Sequence, residues 1–528
     1  MFNDAILVLL AVFAGGRVIA RMLRRRGMLW TCAAPGLLVG FLLAQVISLI
    51  GLALMGASLY ACSLGRRWHR MDLNNGGDHA AIAGERIGVG GVLKRLQQQR
   101  QIERKGWVGG GQLVVGDERH GLPISIPVGY SSGSHTLIVG ATGSGKTVSE
   151  AWIAGRLIDA GYGAIAIDPK GDHLLRDELR AAAARADVPF LEWTPEGPLA
   201  YNPYGHGSDS EIADKALSGE EFTEPHYLRQ AQRYLGHAVR VMQAARIKIT
   251  PVSLMAHMDP RQLEVSARKI PEEQAKAAQG YLDSLDDRQK RELFGVRDRL
   301  SILAESDVRQ WLNPAPGESA LDLQKAIRKR AVVYFRLDSD RRPLLSKMLA
   351  ATIISDLVTL TAWMQTHPLP TLVLVDEFSA IAAQQISRLF GRGRSAAISL
   401  LLATQEMADM SATGDGALRE QVLGNVEAVI AHRQNVPESA ELIAAIAGTK
   451  PVWITTQQTE QAGFGSGESG KGSRRRGHEF AIHPSTIKDL WTGEAVVITP
   501  GSGQQPAVTH MHHPNKATSR FEAKFLKS

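Results

Sequence analysis

The sequence predicts an α/β protein built on a mostly parallel sheet and carried behind an apolar N-terminal region. Two observations lead there. Short apolar runs such as HTLIVG (135–140), GAIAID (163–168), TLVLVD (371–376) and AISLLLAT (397–404) have the length and β-branched content of strands buried on both faces. The first of them passes through a glycine-rich turn into VSEAWIAGRLIDAG (148–161), whose apolar period is helical, which is the strand, turn, helix order of a parallel crossover.

The bulk figures bound what can follow. A chain of 528 residues, 44% hydrophobic and 21% charged, has ordinary globular composition and room for two or three domains. Its two cysteines, Cys32 and Cys62, exclude a disulfide framework and a cysteine-ligated zinc site. The formal charge of +7 looks like a nucleic-acid signal, but residues 1–70 account for all of it, with eight Arg against the single acid Asp4. The other 458 residues carry 52 basic and 52 acidic side chains. The excess charge is therefore a signal of membrane topology, and any contact with nucleic acid has to be local.

Residues 5–20 are apolar apart from Arg17, and residues 28–64 form a second apolar run interrupted by Pro35, Gly36 and Gly51. A helix needs about 20 apolar residues to cross the hydrocarbon, so the second run supplies one kinked span or two short ones. A cleaved signal peptide fits poorly, because a second apolar run follows the first at once. The basic clusters 21–26 and 65–70 prefer the cytoplasm, which favours three spans; two spans would leave Arg21–Arg26 on the other side.

The turn after HTLIV reads GATGSGKT, residues 140–147, and carries the chemistry of a phosphate-binding loop. Gly140, Gly143 and Gly145 allow the backbone to curl, so that the amides of Gly140, Ala141, Thr142, Gly143, Ser144 and Gly145 face phosphates at the positive end of the following helix. Lys146 is expected on the β- and γ-phosphates and Thr147 on Mg²⁺. A hydrolytic site also needs acids at a strand end: Asp376 for Mg²⁺ and Glu377 to polarise water. Asp168, Lys170 and Asp172 follow one strand and Thr404 and Gln405 follow another, where they can contact phosphate or orient water. No Asn-Lys-x-Asp element is present to read guanine, so ATP is the expected nucleotide.

Three segments are assigned no chemistry. GSGESGKG (465–472) nearly repeats the loop pattern, but Gly472 stands where Ser or Thr is needed and no strand precedes it; it is read as flexible linker. His510, His512 and His513 are read as part of a solvated tail, and the IRKR run (327–330) as a solvated helix end.

GATGSGKT, IDPKGD, YNPYG (201–205), VDEF (375–378), FGRGRS (390–395) and LLATQ (401–405), in that order behind apolar segments, resemble the type IV secretion coupling proteins of the TraG/TraD/TrwB kind. These are relatives of the FtsK and HerA translocases. The resemblance implies a RecA-like P-loop core interrupted by an all-α domain, N-terminal transmembrane helices in a bacterial inner membrane, and the ATPase in the cytoplasm. It further implies a homo-hexamer that moves DNA with a bound relaxase toward a secretion channel, and it makes Arg394, rather than Arg392, the arginine that reaches a neighbour's γ-phosphate. The domain boundaries follow: anchor 1–64; juxtamembrane linker and first strands 65–130; nucleotide-binding core 131–205 and 305–515; all-α insert 206–304; tail 516–528. Three other readings share these residues. An FtsK-type translocase would add a winged-helix domain, for which 505–528 is too short; a protein-handling ATPase would ignore DNA; a docking receptor would turn over little ATP.

Overall fold

The computed structural model describes residues 2–26, 28–45, 48–74, isolated positions between 88 and 97, and 106–119, 121–219, 224–315, 320–381, 383–411, 416–462 and 465–515. The expected tail 516–528 and most of the polar stretch 94–107 lie outside them. The chain divides into two compact units, one containing the N-terminal helices and the other comprising 110–115 and 125–516.

In the first unit, helices run over Phe2–Arg25, Pro35–Ala44 and Ser48–Asn74. Two expectations shift. Gly51 does not break a helix; it lies within one, and a Cβ there would sit 2.2 Å from the Ala44 nitrogen, so glycine lets two helices meet backbone to backbone. The last helix also continues ten residues past the boundary placed at 64. By length and composition Leu49–Met71 qualifies as a membrane span, whereas the ten-residue helix Pro35–Ala44, at 1.5 Å per residue, is too short to cross alone. Leu38, Phe41, Leu42, Leu49, Ile50 and Leu52 point outward rather than into a core.

The second unit is organised by seven parallel strands in the spatial order Ala428–Ala431, Thr136–Val139, Ile398–Thr404, Thr371–Val375, Gly163–Asp168, Val332–Arg336 and Phe190–Trp193. Glu494–Ile498 and Ala507–Met511 extend the first edge antiparallel. The apolar runs read from sequence are the buried centre of this sheet, because both faces are covered: Lys146–Asp159 is buried over most of its length, and 78% of the apolar window in Pro343–Thr366 is inside the protein. That burial makes Pro343–Thr366 a core helix despite its apolar length.

Two readings are corrected here. Residues 449–462 pair antiparallel with 465–480, so GSGESGKG belongs to a long strand of a hairpin instead of a linker. His510 and His512 are not a solvated tail: His510 stands on a strand inside the sheet, 3.4 Å from Glu494, and His512 is buried with its ring 5.1 Å from that of Trp152. The IRKR run does end a helix, Leu323–Arg328, with the Arg328 guanidinium over the Trp363 ring.

Between Ser208 and Glu305 the regular elements among the described residues are all helices, from the capping box of Ser208 and Glu211 through Asp287–Ala304. These helices have an apolar core of their own yet belong to the same compact unit as the sheet. The YNPYG motif joins the two: Tyr201 is buried in the core of the sheet and Tyr204 in that of the helices. Beneath it lies a buried polar cluster. Lys215 Nζ donates to Asp356 Oδ1 at 2.7 Å and to the His206 carbonyl, while Tyr201 donates to Asp356 Oδ2 at 3.0 Å. The His206 ring sits 3.5 Å from Asp356 and 3.3 Å from Asp322, and these acids push its pKa up to about 9. Because the folded value lies above the ordinary 6.5, the stabilisation is complete below pH 6.5 and is lost as pH rises through about 9. Discounted for partial exposure of the ring, we expect on the order of 2 kcal/mol to disappear between pH 7 and 9.5. Thermal midpoints of wild type and His206→Gln across that range check this, and parallel curves would refute it.

Candidate nucleotide site

The parallel strands set their carboxyl ends along one edge, where open α/β sheets bind ligands. The strand Thr136–Val139 delivers residues 140–145 there, and the helix begins at Lys146. Gly143 and Gly145 have φ of +77° and +105°, conformations that side-chain-bearing residues adopt only at a cost of about 1–2 kcal/mol. The loop is tied down from both sides: the Gly140 amide donates to Thr404 O, Ala141 N to Arg433 O, and Gly493 N to Ser144 O.

One strand separates the phosphate-loop strand from the strand Thr371–Val375, and the acids beyond the latter meet the loop. Lys146 Nζ lies 2.6 Å from Asp376 Oδ1 and 3.1 Å from Glu377 Oε1. Burial works against the Lys146 charge, but Glu150, Asp376 and Glu377 outweigh it and hold the ammonium firmly protonated. Glu377 has φ of +49°, a left-handed conformation of the kind that concentrates at functional sites. Its Oε1 accepts hydrogen bonds from Lys170 Nζ at 2.9 Å and from Gln405 Nε2 at 2.9 Å as well as from Lys146. Burial would raise the Glu377 pKa; the charges of Lys146 and Lys170 and these hydrogen bonds reverse that and keep it ionised. Burial likewise raises Asp376, against the pull of Lys146.

Thr142, Lys146, Asp376, Glu377 and Gln405 therefore converge; the expected phosphate-facing amides of Gly140, Ala141 and Ser144 instead donate to the carbonyls of Thr404, Arg433 and Ala141, and two of the expected side chains stand apart. Asp168 is fully buried and its oxygens are engaged inside the turn: Oδ1 accepts from the amides of Lys170 and Gly171, Oδ2 from Asp172 N and Tyr334 OH. It shapes the turn that carries Lys170 to Glu377, and it has no oxygen turned to the loop. Arg394 precedes the strand Ile398–Thr404 and so lies at the opposite end of the sheet from Lys146, paired with Glu427 at 2.7 Å. Arg392 is exposed nearby. Neither reaches the Lys146 loop of its own chain.

Three side chains escaped the sequence reading. Glu150, one helical turn after Lys146, is fully buried with both oxygens lacking a hydrogen-bond partner; burial, and then the neighbouring Asp376, push its pKa well up. An acid one turn into the helix after the loop was the available signal. His432 is buried against the loop; its Nδ1 donates to the Glu494 carbonyl at 2.9 Å, leaving Nε2 for the Ser149 hydroxyl at 2.9 Å, and burial pushes its pKa down to about 4. Thr492 Oγ1 donates to Gly143 O at 3.0 Å. The last two come from segments far along the chain, which no local pattern announces.

Residues 370–490 match the family described as the TraM recognition site of TraD and TraG. The bacterial conjugative coupling protein TrwBdeltaN70, unbound, is similar in structure, with 14% identity and a TM-score of 0.53 over 78% of this chain and 91% of that one. The chain is similar to the type IV secretion coupling proteins. Plasmid coupling protein TrwB with the GTP analogue GDPNP gives 14% identity and a TM-score of 0.53 over 79% and 94% of the two chains. TrwB with ADP and Mg²⁺ gives 14% and 0.52 over 80% and 94%. The likeness extends the reading of the sheet: the chain shares the fold of these solved structures. Among curated proteins, none matches this chain by sequence.

Proposed function

We propose that the chain is a membrane-anchored ATPase of the coupling-protein kind that drives DNA, with a relaxase-type protein bound to it, toward a type IV secretion channel. The observation that carries this reading is the convergence of Lys146, Asp376, Glu377 and Gln405 at the phosphate loop, within a chain whose residues 370–490 match the TraD and TraG family.

The residues present fit ATP and Mg²⁺. The loop amides of Thr142, Gly143 and Gly145 remain for phosphate at a helix N-terminus, and Lys146 lies between acids that phosphate can displace. Thr147 and Asp376 would hold Mg²⁺, which when bound neutralises charge on the phosphates. Glu377 orients and deprotonates the attacking water; its Oε1 is held by three donors, which leaves Oε2 for that task. Gln405 links this carboxylate to the loop, since Thr142 Oγ1 lies 3.4 Å from its Oε1.

Because Arg394 is remote from its own subunit's loop, it reaches a γ-phosphate only in an assembly, which supports a homo-hexameric ring with shared sites. Supporting a bacterial inner-membrane anchor with a cytoplasmic ATPase are the apolar outward face of the N-terminal helices and the arginines that flank them. The helices of 206–304 are then an all-α domain joined to the motor through YNPYG. The test is ATP turnover by the full chain in detergent, with and without DNA. Stimulation of several-fold or more is expected; turnover indifferent to DNA would point to a protein-handling ATPase, and none at all to a docking receptor.

A further inference from the structure

We propose that Trp491 is the stacking platform for the nucleobase of the bound nucleotide. This rests on the reading of residues 140–147 as the phosphate site.

Trp491 is 78% exposed, the most exposed large apolar side chain among the described residues. Yet it stands on a rigid turn: its amide donates to Glu494 Oε2 at 3.0 Å, and its carbonyl accepts from Glu494 N at 2.9 Å. The two residues after it grip the phosphate loop, through Thr492 Oγ1 to Gly143 O and Gly493 N to Ser144 O, both at 3.0 Å. The approach is close enough that a Cβ on Gly145 would lie 2.9 Å from Gly493 N. A large indole held open to solvent next to the loop calls for a partner with an aromatic face.

The order of the sheet says which end of the nucleotide arrives there. The strands bearing Gln405 and Glu377 lie on one side of the phosphate-loop strand; Ala428–Ala431 and then Glu494–Ile498 lie on the other. Glu494–Ile498 runs antiparallel, so its start, with Trp491 just before it, is at the edge where the loop lies. With the γ-phosphate among the acids on one flank, the polyphosphate crosses the loop and the base leaves on the flank that carries Trp491. The carboxylate of Glu494, at the end of this turn, is already engaged by the Trp491 amide and His510. Stacking without edge recognition holds adenine and guanine alike.

The test is calorimetric binding of a non-hydrolysable ATP analogue, a GTP analogue and inorganic tripolyphosphate to the full chain in detergent. Trp491→Ala should weaken both nucleotides about tenfold, Trp491→Phe should stay within about threefold, and tripolyphosphate should bind all three proteins equally. Nucleotide binding unchanged in Trp491→Ala overturns the platform, as does an equal weakening of tripolyphosphate, which would make the indole a prop for the loop. Lys146→Ala separates the two failures. If it abolishes binding while Trp491→Ala is silent, only the platform is wrong; if the wild type binds no ligand, or Lys146→Ala changes nothing, the phosphate-site reading falls and the platform with it.

Discussion

Glu377→Gln is expected to lower ATP turnover by about 10²–10⁴ while leaving ATP binding within a few-fold of wild type. The amide keeps the shape of the side chain and can still accept from Gln405 and Lys170, so the turn at φ +49° is retained. What disappears is the negative charge that three donors hold ionised in a buried site. Lys146→Ala should behave differently. It removes the cation that faces both acids, leaving Asp376, 9% exposed, unneutralised and Glu377, 11% exposed, with Lys170 alone, so that they repel the phosphates instead of yielding a cation to them. Binding and turnover should fall together. The competing account makes Glu377 only a structural partner of Lys146. On that account Glu377→Gln would lower the thermal midpoint and leave kcat within threefold of wild type, so calorimetry beside single-turnover kinetics decides between them.

The legibility of this site follows from where its interactions lie along the chain. Residues 140–147 and 376–377 were legible because their chemistry is local: a loop needs glycines at fixed steps, and a buried strand announces the acids at its end. Lys170 and Gln405 were legible as strand-end residues, but their convergence on one carboxylate oxygen was not, since it depends on the order of strands in the sheet. Asp168 shows the limit of the same logic. An acid at a strand end can serve a ligand or its own turn, and only the four donors around it reveal which. The hairpin of 449–480 was missed for a different reason. Gly/Ser-rich composition reads as linker, while pairing is supplied by the preceding segment 449–462, which a one-segment reading does not include. His512 was missed in the same way, its burial being set by Trp152, 360 positions earlier.

Lys215→Met is expected to cost about 3–5 kcal/mol of stability, and it should do so by loosening the helices of 206–304 from the sheet. Lys215 and Asp356 are 1% and 0% exposed; removing Asp356 leaves Lys215 without a counter-charge where water cannot reach, and removing Lys215 leaves Asp356 only the half-buried His206 ring at 3.5 Å. Asp356→Asn tests the other half and leaves Lys215 facing a neutral amide and the His206 carbonyl. The two substitutions should not add. In Lys215→Met/Asp356→Leu no buried charge of this pair remains, so part of the loss should be recovered, though Tyr201 and His206 still lose an acceptor. The location of the pair gives the test its force. Asp356 belongs to the core helix Pro343–Thr366 and Lys215 to the short helix Asp209–Ala216, on either side of the joint made by Tyr201 and Tyr204. If this cluster couples the two cores, Lys215→Met should split one thermal transition into two, with the helical part melting first. A single transition, merely shifted downward, would mean that apolar packing at Tyr201 and Tyr204 couples the cores and that the ion pair only fills the space between them.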